Sequence, residues 1–274
     1  MAKRFFQNRT AVFTTFAVLL IALIGIFAPV IAPNDPYETN IINKFASYSV
    51  QYPLGTDQLG RCVLSCMIFG IRPTLGLAAL TMAGTIGIGA VLGIIAGYFR
   101  GIAEEIIMRI VDVMLSFPSQ IMVFAVVALL GVSVQNVIIA NVFIKWAWYA
   151  RMIRTGVMQY RDKNFVQFSR CVGMPERFIL FRHLLPSITS DLAVLASLDI
   201  GWAIINISTL SFLGLGVQAP TPEWGAMLNE AKEVLTRNPT QMLAPGIAIV
   251  ALVCCFNLLG DAMRDVLDPK EVAK

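Results

Sequence analysis

Long intervals without a single charged residue constrain this chain more than any other feature. No Asp, Glu, Lys or Arg occurs from Thr10 to Asn34, from Pro73 to Phe99, from Val113 to Ile144, from Ile200 to Pro222 or from Asn238 to Gly260. A helix rising about 1.5 Å per residue needs about 20 apolar residues to cross roughly 30 Å of hydrocarbon, and each interval reaches that length. Water is the wrong solvent for such a chain: 57% of its 274 residues are apolar and 14% charged, against about 45–50% and about 25% in soluble domains.

The interval 113–144 is long enough for parts of two helices, and Gly131-Val132-Ser133-Val134-Gln135-Asn136 supplies a polar turn inside it. The pattern predicts an all-α polytopic membrane protein with six transmembrane helices, near residues 11–32, 73–98, 106–130, 136–154, 190–215 and 241–261. The apolar core of the first exceeds the roughly 7–15 residues of a cleaved signal sequence, so it is expected to be a retained helix.

Orientation follows from the basic residues. With the N-terminus in the cytoplasm, inside segments hold 15 of the 21 Lys and Arg residues, seven of them between Arg151 and Arg182. Outside segments hold five, namely Lys44, Arg61, Arg72, Lys232 and Arg237, and Lys145 falls within the fourth span. Such a bias places both termini in the cytoplasm. Topology accounts for the formal charge of +4 without a nucleic-acid partner. The expected organisation is a cytoplasmic N-terminus (1–10), a first helix (11–32), an extracytoplasmic segment (33–72), a five-helix core (73–261) with a cytoplasmic coupling loop (155–189), and a cytoplasmic C-terminus (262–274).

Two small-residue features are structural in character. Cys62 and Cys66 stand four apart, which on a helix separates Cβ atoms by about 5–6 Å, beyond what a disulfide spans, so they are expected as packing residues. Gly89, Gly93 and Gly97 form a row along which another helix can approach closely, either within this subunit or across a subunit interface.

The loop between the fourth and fifth spans is the most informative region. It carries two amphipathic pieces hinged at Gly173-Met174-Pro175, where glycine permits a tight turn and proline suits the start of a new helix. Its spacing resembles the motif of ABC-importer permeases, in which Glu-Ala-Ala is followed after three residues by Gly and nine residues later by an apolar residue, any residue, Leu and Pro. Gln167-Phe168-Ser169 stands in place of the triplet, Gly173 keeps its position, His183 takes the apolar place and Leu185-Pro186 closes the pattern. The departure in the triplet removes the salt bridge that the family's Glu would make and leaves the turn intact.

Further stretches resemble the dipeptide, oligopeptide and nickel branch of these permeases, in its C-type subunit. They are Pro53-Leu54-Gly55-Thr56-Asp57-Gln58-Leu59-Gly60-Arg61, with Cys62 where an Asp normally follows, then Ser211-Phe212-Leu213-Gly214-Leu215-Gly216, Pro222-Glu223-Trp224-Gly225, Asn257-Leu258-Leu259-Gly260-Asp261 and Leu267-Asp268-Pro269. Within the branch, Trp146-Ala147-Trp148-Tyr149-Ala150-Arg151 and Leu198-Asp199-Ile200-Gly201 look most like the nickel-transport members, with Lys145 where a His usually precedes the Trp.

The resemblance implies a type I importer permease fold in the bacterial cytoplasmic membrane. It also implies a homologous second permease, two ATPase subunits and an extracytoplasmic solute-binding protein. The chain has no Gly-Lys pair, hence no phosphate-cradling Gly-x-x-x-x-Gly-Lys-Ser/Thr loop, so ATP and Mg belong to the partner subunits and this chain binds no cofactor itself. The expected ATPase-coupling residues are Gln167, Phe168, Ser169, Gly173, Met174, Pro175, Leu185 and Pro186. Ionisable groups at membrane depth are costly and default to functional roles, so Lys145 and Asp199, with Trp146 and Trp202, are candidates for the substrate path; mutual pairing of Lys145 and Asp199 is the structural alternative.

With His183 as the single histidine, no metal-ligand set is expected, and a nickel cargo is expected to cross as a chelate. A peptide cargo is the main alternative. An ion-coupled secondary transporter would show inverted repeats between its halves, which are not evident. An enzyme would need a catalytic constellation, and none is visible.

Overall fold

Proline and glycine positions divide the apolar intervals into helices. The computed structural model describes residues 2–267; Asp268 and Pro269 of the last motif, and the basic Lys270 and Lys274, lie outside the described residues. In chain order the helices are α1 Ala2–Gln7, α2 Arg9–Ile26, α3 Ala28–Ile31, α4 Val63–Phe99, α5 Gly101–Ser116, α6 Ser119–Leu130, α7 Val134–Arg161, α8 Asn164–Cys171, α9 Glu176–Phe178, α10 Leu185–Phe212, α11 Trp224–Ala231 and α12 Thr240–Leu267. A wide helical turn over Ile179–Leu184 joins α9 to α10, so one helical run extends from 176 to 212.

Four helices, α2, α4, α12 and the stretch Leu192–Phe212 of α10, are long and apolar enough to cross a bilayer on their own. The expected third span is not one straight rod: α5 and α6 are bent by 93° where Phe117 and Pro118 interrupt them, the geometry of a broken span or of a re-entrant loop. The missing amide and fixed φ of proline explain the break. The expected fourth span corresponds to α7, whose 28 residues span about 42 Å. Lys145, Arg151, Arg154 and Arg161 make it less apolar than the others, and it lies at the centre of the bundle, packed along α4.

The glycine row decides that packing. A Cβ placed on Gly89 would fall 2.5 Å from Cβ of Tyr149; on Gly93, 2.6 Å from the Ala150 carbonyl oxygen; on Gly97, 2.9 Å from that of Arg154. The row is therefore the seat of α7 within this subunit. Around it, Ala78, Met82, Ile144, Tyr149, Ile153, Ile204, Leu210 and Leu252 join α4, α7, α10 and α12 in one core. Phe13, Phe16, Leu19 and Leu23 of α2 remain exposed, as suits a peripheral helix in hydrocarbon.

Charge placement corrects one boundary. The second span is expected to start at 73, after Arg72, yet α4 begins ten residues earlier at Val63 and runs through both Arg72 and Pro73. The Arg72 guanidinium donates to the carbonyls of Gly25 at 2.6 Å and Ile26 at 2.8 Å, the open C-terminal end of α2. A cation at that end satisfies orphan carbonyls and opposes the helix dipole. Cys62 and Cys66 are buried free thiols, in keeping with packing roles.

Replacing Gly93 with Leu drives a branched side chain into the α7 backbone. The variant is expected to lose about 3 kcal/mol of stability or more, read as a lower melting midpoint of the purified protein by fluorescence-detected size exclusion. A Gly76→Leu control, at a position with open space within 4 Å, should melt close to wild type.

Candidate functional site

Three sets of chemically active residues emerge, at the two ends of the bundle and at its mid-depth.

At the first end, the segment 33–62 closes over α11 and α12. Asp57 folds its own loop by accepting the Leu59 and Arg61 amides at 2.8 and 2.9 Å. Arg61, 3% exposed, pairs with Asp57 at 2.6 Å and Glu230 of α11 at 2.5 Å, and donates to the Pro220 carbonyl at 3.3 Å. Burial disfavours the Arg61 charge, but Asp57 and Glu230 outweigh it and hold the guanidinium more firmly protonated than usual. Burial likewise pushes the Glu230 carboxyl up against the opposing pull of Arg61. Gln241 at the start of α12 donates to the Thr56 carbonyl at 3.0 Å.

The Pro-Glu-Trp-Gly motif locks α11 beside this cluster. Fully buried Glu223 caps α11 by accepting the amides of Gly225 at 3.0 Å and Ala226 at 2.9 Å, and it receives the Thr74 and Ser208 hydroxyls. Trp224 donates its ring N–H to the Met67 carbonyl at 2.9 Å. The sequence motifs holding Asp57, Arg61 and Glu223 are thus assembled as one polar clasp; Glu230 completes it with no motif of its own.

At the other end lies the elbow. The helix α8 ends in a turn at Gly173, whose φ of 78° belongs to the left-handed region; its amide and that of Met174 bond back to the carbonyls of Arg170 and Ser169 at 2.9 and 3.0 Å, a glycine-terminated helix end. Gln167, Gly173, Pro175 and Pro186 are exposed, and Leu185 is half-buried. Phe168 and Phe181, each 70% exposed, stand out with Phe165, Val172, Met174 and Phe178 as an apolar surface. Ser169 is the exception among the expected coupling residues: it is buried, and its hydroxyl meets His183 Nε2 at 2.9 Å. Two of the residues that depart from the family pattern therefore brace the elbow together, with Phe165 and Phe178 edge-on to the imidazole. Only the folded chain reveals that pairing. Arg100 and Asp162 pair at 3.0 Å, and Arg161 and Arg170 lie over Tyr98, tying the elbow to the end of α4.

At mid-depth, Lys145 of α7 and Asp199 of α10 face each other at 3.6 Å. Tyr149 donates its hydroxyl to Asp199 at 2.9 Å, and the Lys145 ammonium sits 4.0 Å from the Trp202 ring centre and 5.0 Å from that of Trp148. Trp146 is not part of this group. It is buried with Val111, Ala147 and Ala150 against α5. Trp148, two residues on, takes the place beside Lys145 because a helix turns about 100° per residue.

The model of the family of binding-protein-dependent transport system inner membrane components matches residues 89–272, two thirds of the chain. The chain belongs to that family. An N-terminal transmembrane domain of oligopeptide transport permease C matches residues 1–48. The permease is 43% identical over 99% of its length to a metal-staphylopine import system permease of Staphylococcus aureus, covering 94% of that protein. It is 39% identical over 94% of its length to a nickel transport system permease of Escherichia coli, covering 93% of it, and 37% identical over 98% to a dipeptide transport system permease of Alkalihalophilus pseudofirmus, covering 88%. The inward-facing methionine ABC transporter structure MetNI shares its fold, with a TM-score of 0.61 at 20% identity over 74% of this chain and 97% of that one. The permease is a multi-pass inner-membrane subunit of an ABC importer with the type I fold; ATP hydrolysis belongs to partner subunits, and solute is supplied by a binding protein.

The clasp yields a test of its own. Arg61→Ala strands the half-buried Glu230 carboxylate, so a loss of about 3 kcal/mol is expected. Adding Glu230→Gln to that variant should recover part of the loss, since one of the two carboxylates left uncompensated, Glu230 and Asp57, is then neutral. Thermal melting of the purified single and double variants reads both.

Proposed function

We propose that this permease carries nickel, held as a complex with a small chelator, across the cytoplasmic membrane as one half of a heterodimeric channel. Both termini and the elbow face the cytoplasm, and the 33–72 segment faces outward. A homologous permease supplies the other half, two ATPases dock on the elbow with ATP and Mg, and a solute-binding protein delivers the cargo from outside.

The observation that carries the coupling role is the exposed apolar surface around Gly173, set on a rigid lever. An ATPase groove would bury Phe168, Val172 and Met174 as an amphipathic helix is buried in a partner. Closure of the ATPases on nucleotide would then push α8 and α9 together. The two rods that meet at the elbow are α7 and α10, and the helical run from 176 to 212 is continuous through the wide turn at Ile179–Leu184. Asp199 lies 14 residues beyond Leu185 and Lys145 lies 16 residues before Arg161, about 21 and 24 Å along their helices. Elbow motion would therefore change the spacing of the pair that joins the two rods, which supports reading Lys145, Asp199 and Trp202 as part of the substrate path.

For the cargo, the supporting observation is the chemistry at that depth. An ammonium, a carboxylate and indole rings suit a solute with an organic, partly charged surface better than a bare divalent ion, which seeks clustered imidazole or carboxylate ligands. The similarity to the metal-staphylopine and nickel permeases points the same way. A peptide is the second reading, favoured by the dipeptide permease, since a peptide presents the same kinds of groups.

Gly173→Trp forces a bulky residue into a left-handed position at the docking surface, a strain of about 1–3 kcal/mol. In proteoliposomes holding the complete importer, this variant should lose substrate-stimulated ATP hydrolysis and uptake; wild-type transport would remove the coupling role. Radioactive nickel uptake by the same vesicles is expected with an added chelator and absent with the free ion. Uptake of the free ion at the same rate would reject the chelate requirement, and uptake of a peptide with no nickel uptake would favour the second reading.

A further inference from the structure

We infer that Lys145 is the anion receptor of the substrate path: its ammonium takes an uncoordinated carboxylate of the transported metal complex, with Asp199, Tyr149 and Trp202 as the groups that hold it in position. The inference deepens the transport reading above and rests on it.

Depth comes first. Lys145 is the twelfth of 28 residues in α7 and Asp199 the fifteenth of 28 in α10, so both lie near the middle of helices about 42 Å long. At that level the chain leaves Lys145 16% and Asp199 19% exposed. A charge open to lipid tails at the bilayer centre costs several kcal/mol, and such groups face a cavity, a pathway or a partner instead. The exposed part of the pair therefore faces a cavity, a pathway or a partner rather than lipid.

The state of the ammonium follows from its neighbours. Asp199 Oδ2 stands 3.6 Å from Nζ, beyond hydrogen-bond reach, and that oxygen already accepts the Tyr149 hydroxyl at 2.9 Å. The rings of Trp202 and Trp148 attract the cation through their faces without accepting its N–H groups as a carbonyl would. The long ion pair with Asp199, at 3.6 Å, is the polar contact that Lys145 makes among the described residues, so part of its donor capacity is left over. A desolvated donor in that condition gains most from an anionic acceptor, through a short charge-assisted hydrogen bond.

Charge then sets the ligand class. A bare divalent cation, or a complex with a net positive charge, would meet the Lys145 ammonium head-on. A metal wrapped by an amino-acid-like or hydroxy-acid chelator, neutral or negative overall and keeping one carboxylate free, would complete the set. Trp202 offers a flat apolar wall for the chelator's carbon frame, and Asp199 balances the Lys145 charge when the path is empty.

The test uses the complete permease and ATPase assembly in lipid nanodiscs, without the solute-binding protein, whose own selectivity would otherwise dominate. Tryptophan emission is titrated with nickel–citrate, a paramagnetic quencher that carries free carboxylates, and with nickel–triethylenetetramine, which carries none. Saturable quenching of wild type by the citrate complex and not by the polyamine complex is expected. Lys145→Met should weaken citrate-complex binding about tenfold or more while the assembly elutes intact, and Lys145→Arg should stay within a few-fold of wild type. Equal binding of both complexes by wild type, or unchanged affinity in Lys145→Met, overturns the inference; the comparison of the two complexes stands even where a variant fails to assemble. Diglycine separates the two levels of the argument. A Lys145-dependent response to diglycine with none to nickel–citrate keeps the anion receptor and rejects the metal cargo, and no response to either overturns the receptor.

Discussion

A charge in hydrocarbon must find an opposite charge, a dipole or water, and this permease is organised by where it does so. Arg72 finds the carbonyl end of α2. Arg61 finds Asp57 and Glu230 under the 33–62 segment. Arg154 meets Glu104 and Arg151 meets Asp112, where α7 passes α5. Lys145 meets Asp199 at half depth. Apart from the local Arg61–Asp57 pair, each contact joins elements distant in sequence, so the charges that interrupt the apolar intervals also staple the helices in register.

Between these staples the bundle is held by close approach of backbones. Apolar burial gives helices little reason to associate in a solvent as apolar as their side chains, so dispersion and shape decide the partners. The row of Gly89, Gly93 and Gly97 lets α7 sink onto α4 until side-chain Cβ atoms and carbonyls touch it. That seat lets a helix carrying four basic residues occupy the centre of a membrane protein. Three of those charges are met by partners, Lys145 by Asp199 of α10 and Arg151 and Arg154 by Asp112 and Glu104 of α5. The clasp of Glu223 and Trp224 does comparable work at the far end, fixing a short helix against α4 and α10 through buried hydrogen bonds.

The elbow shows how a motif can drift and keep its shape. The triplet and the apolar position both differ from the family pattern, yet Ser169 of the one and His183 of the other are within hydrogen-bond distance of each other. Gly173 retains the backbone conformation that reverses the chain, and the apolar side chains stay on the outside. What a partner would touch is preserved as a surface, while the internal brace has changed its chemistry.

The sequence by itself determined the solvent, the number of apolar intervals, the position of the elbow and the family, because hydrophobic length, turn residues and motif spacing are local properties of a chain. It left open whether the glycine row faced inward or a partner, and whether Lys145 and Asp199 met. It also read 106–130 as one span where Phe117 and Pro118 bend the chain by 93°, and it placed Trp146 in a group that Trp148 joins instead. Tertiary structure decided these points for one reason. Which side of a helix faces which neighbour is set by contacts between residues far apart in the chain, such as Gly93 with Ala150, Arg61 with Glu230 and Tyr149 with Asp199, and no local pattern encodes the partner.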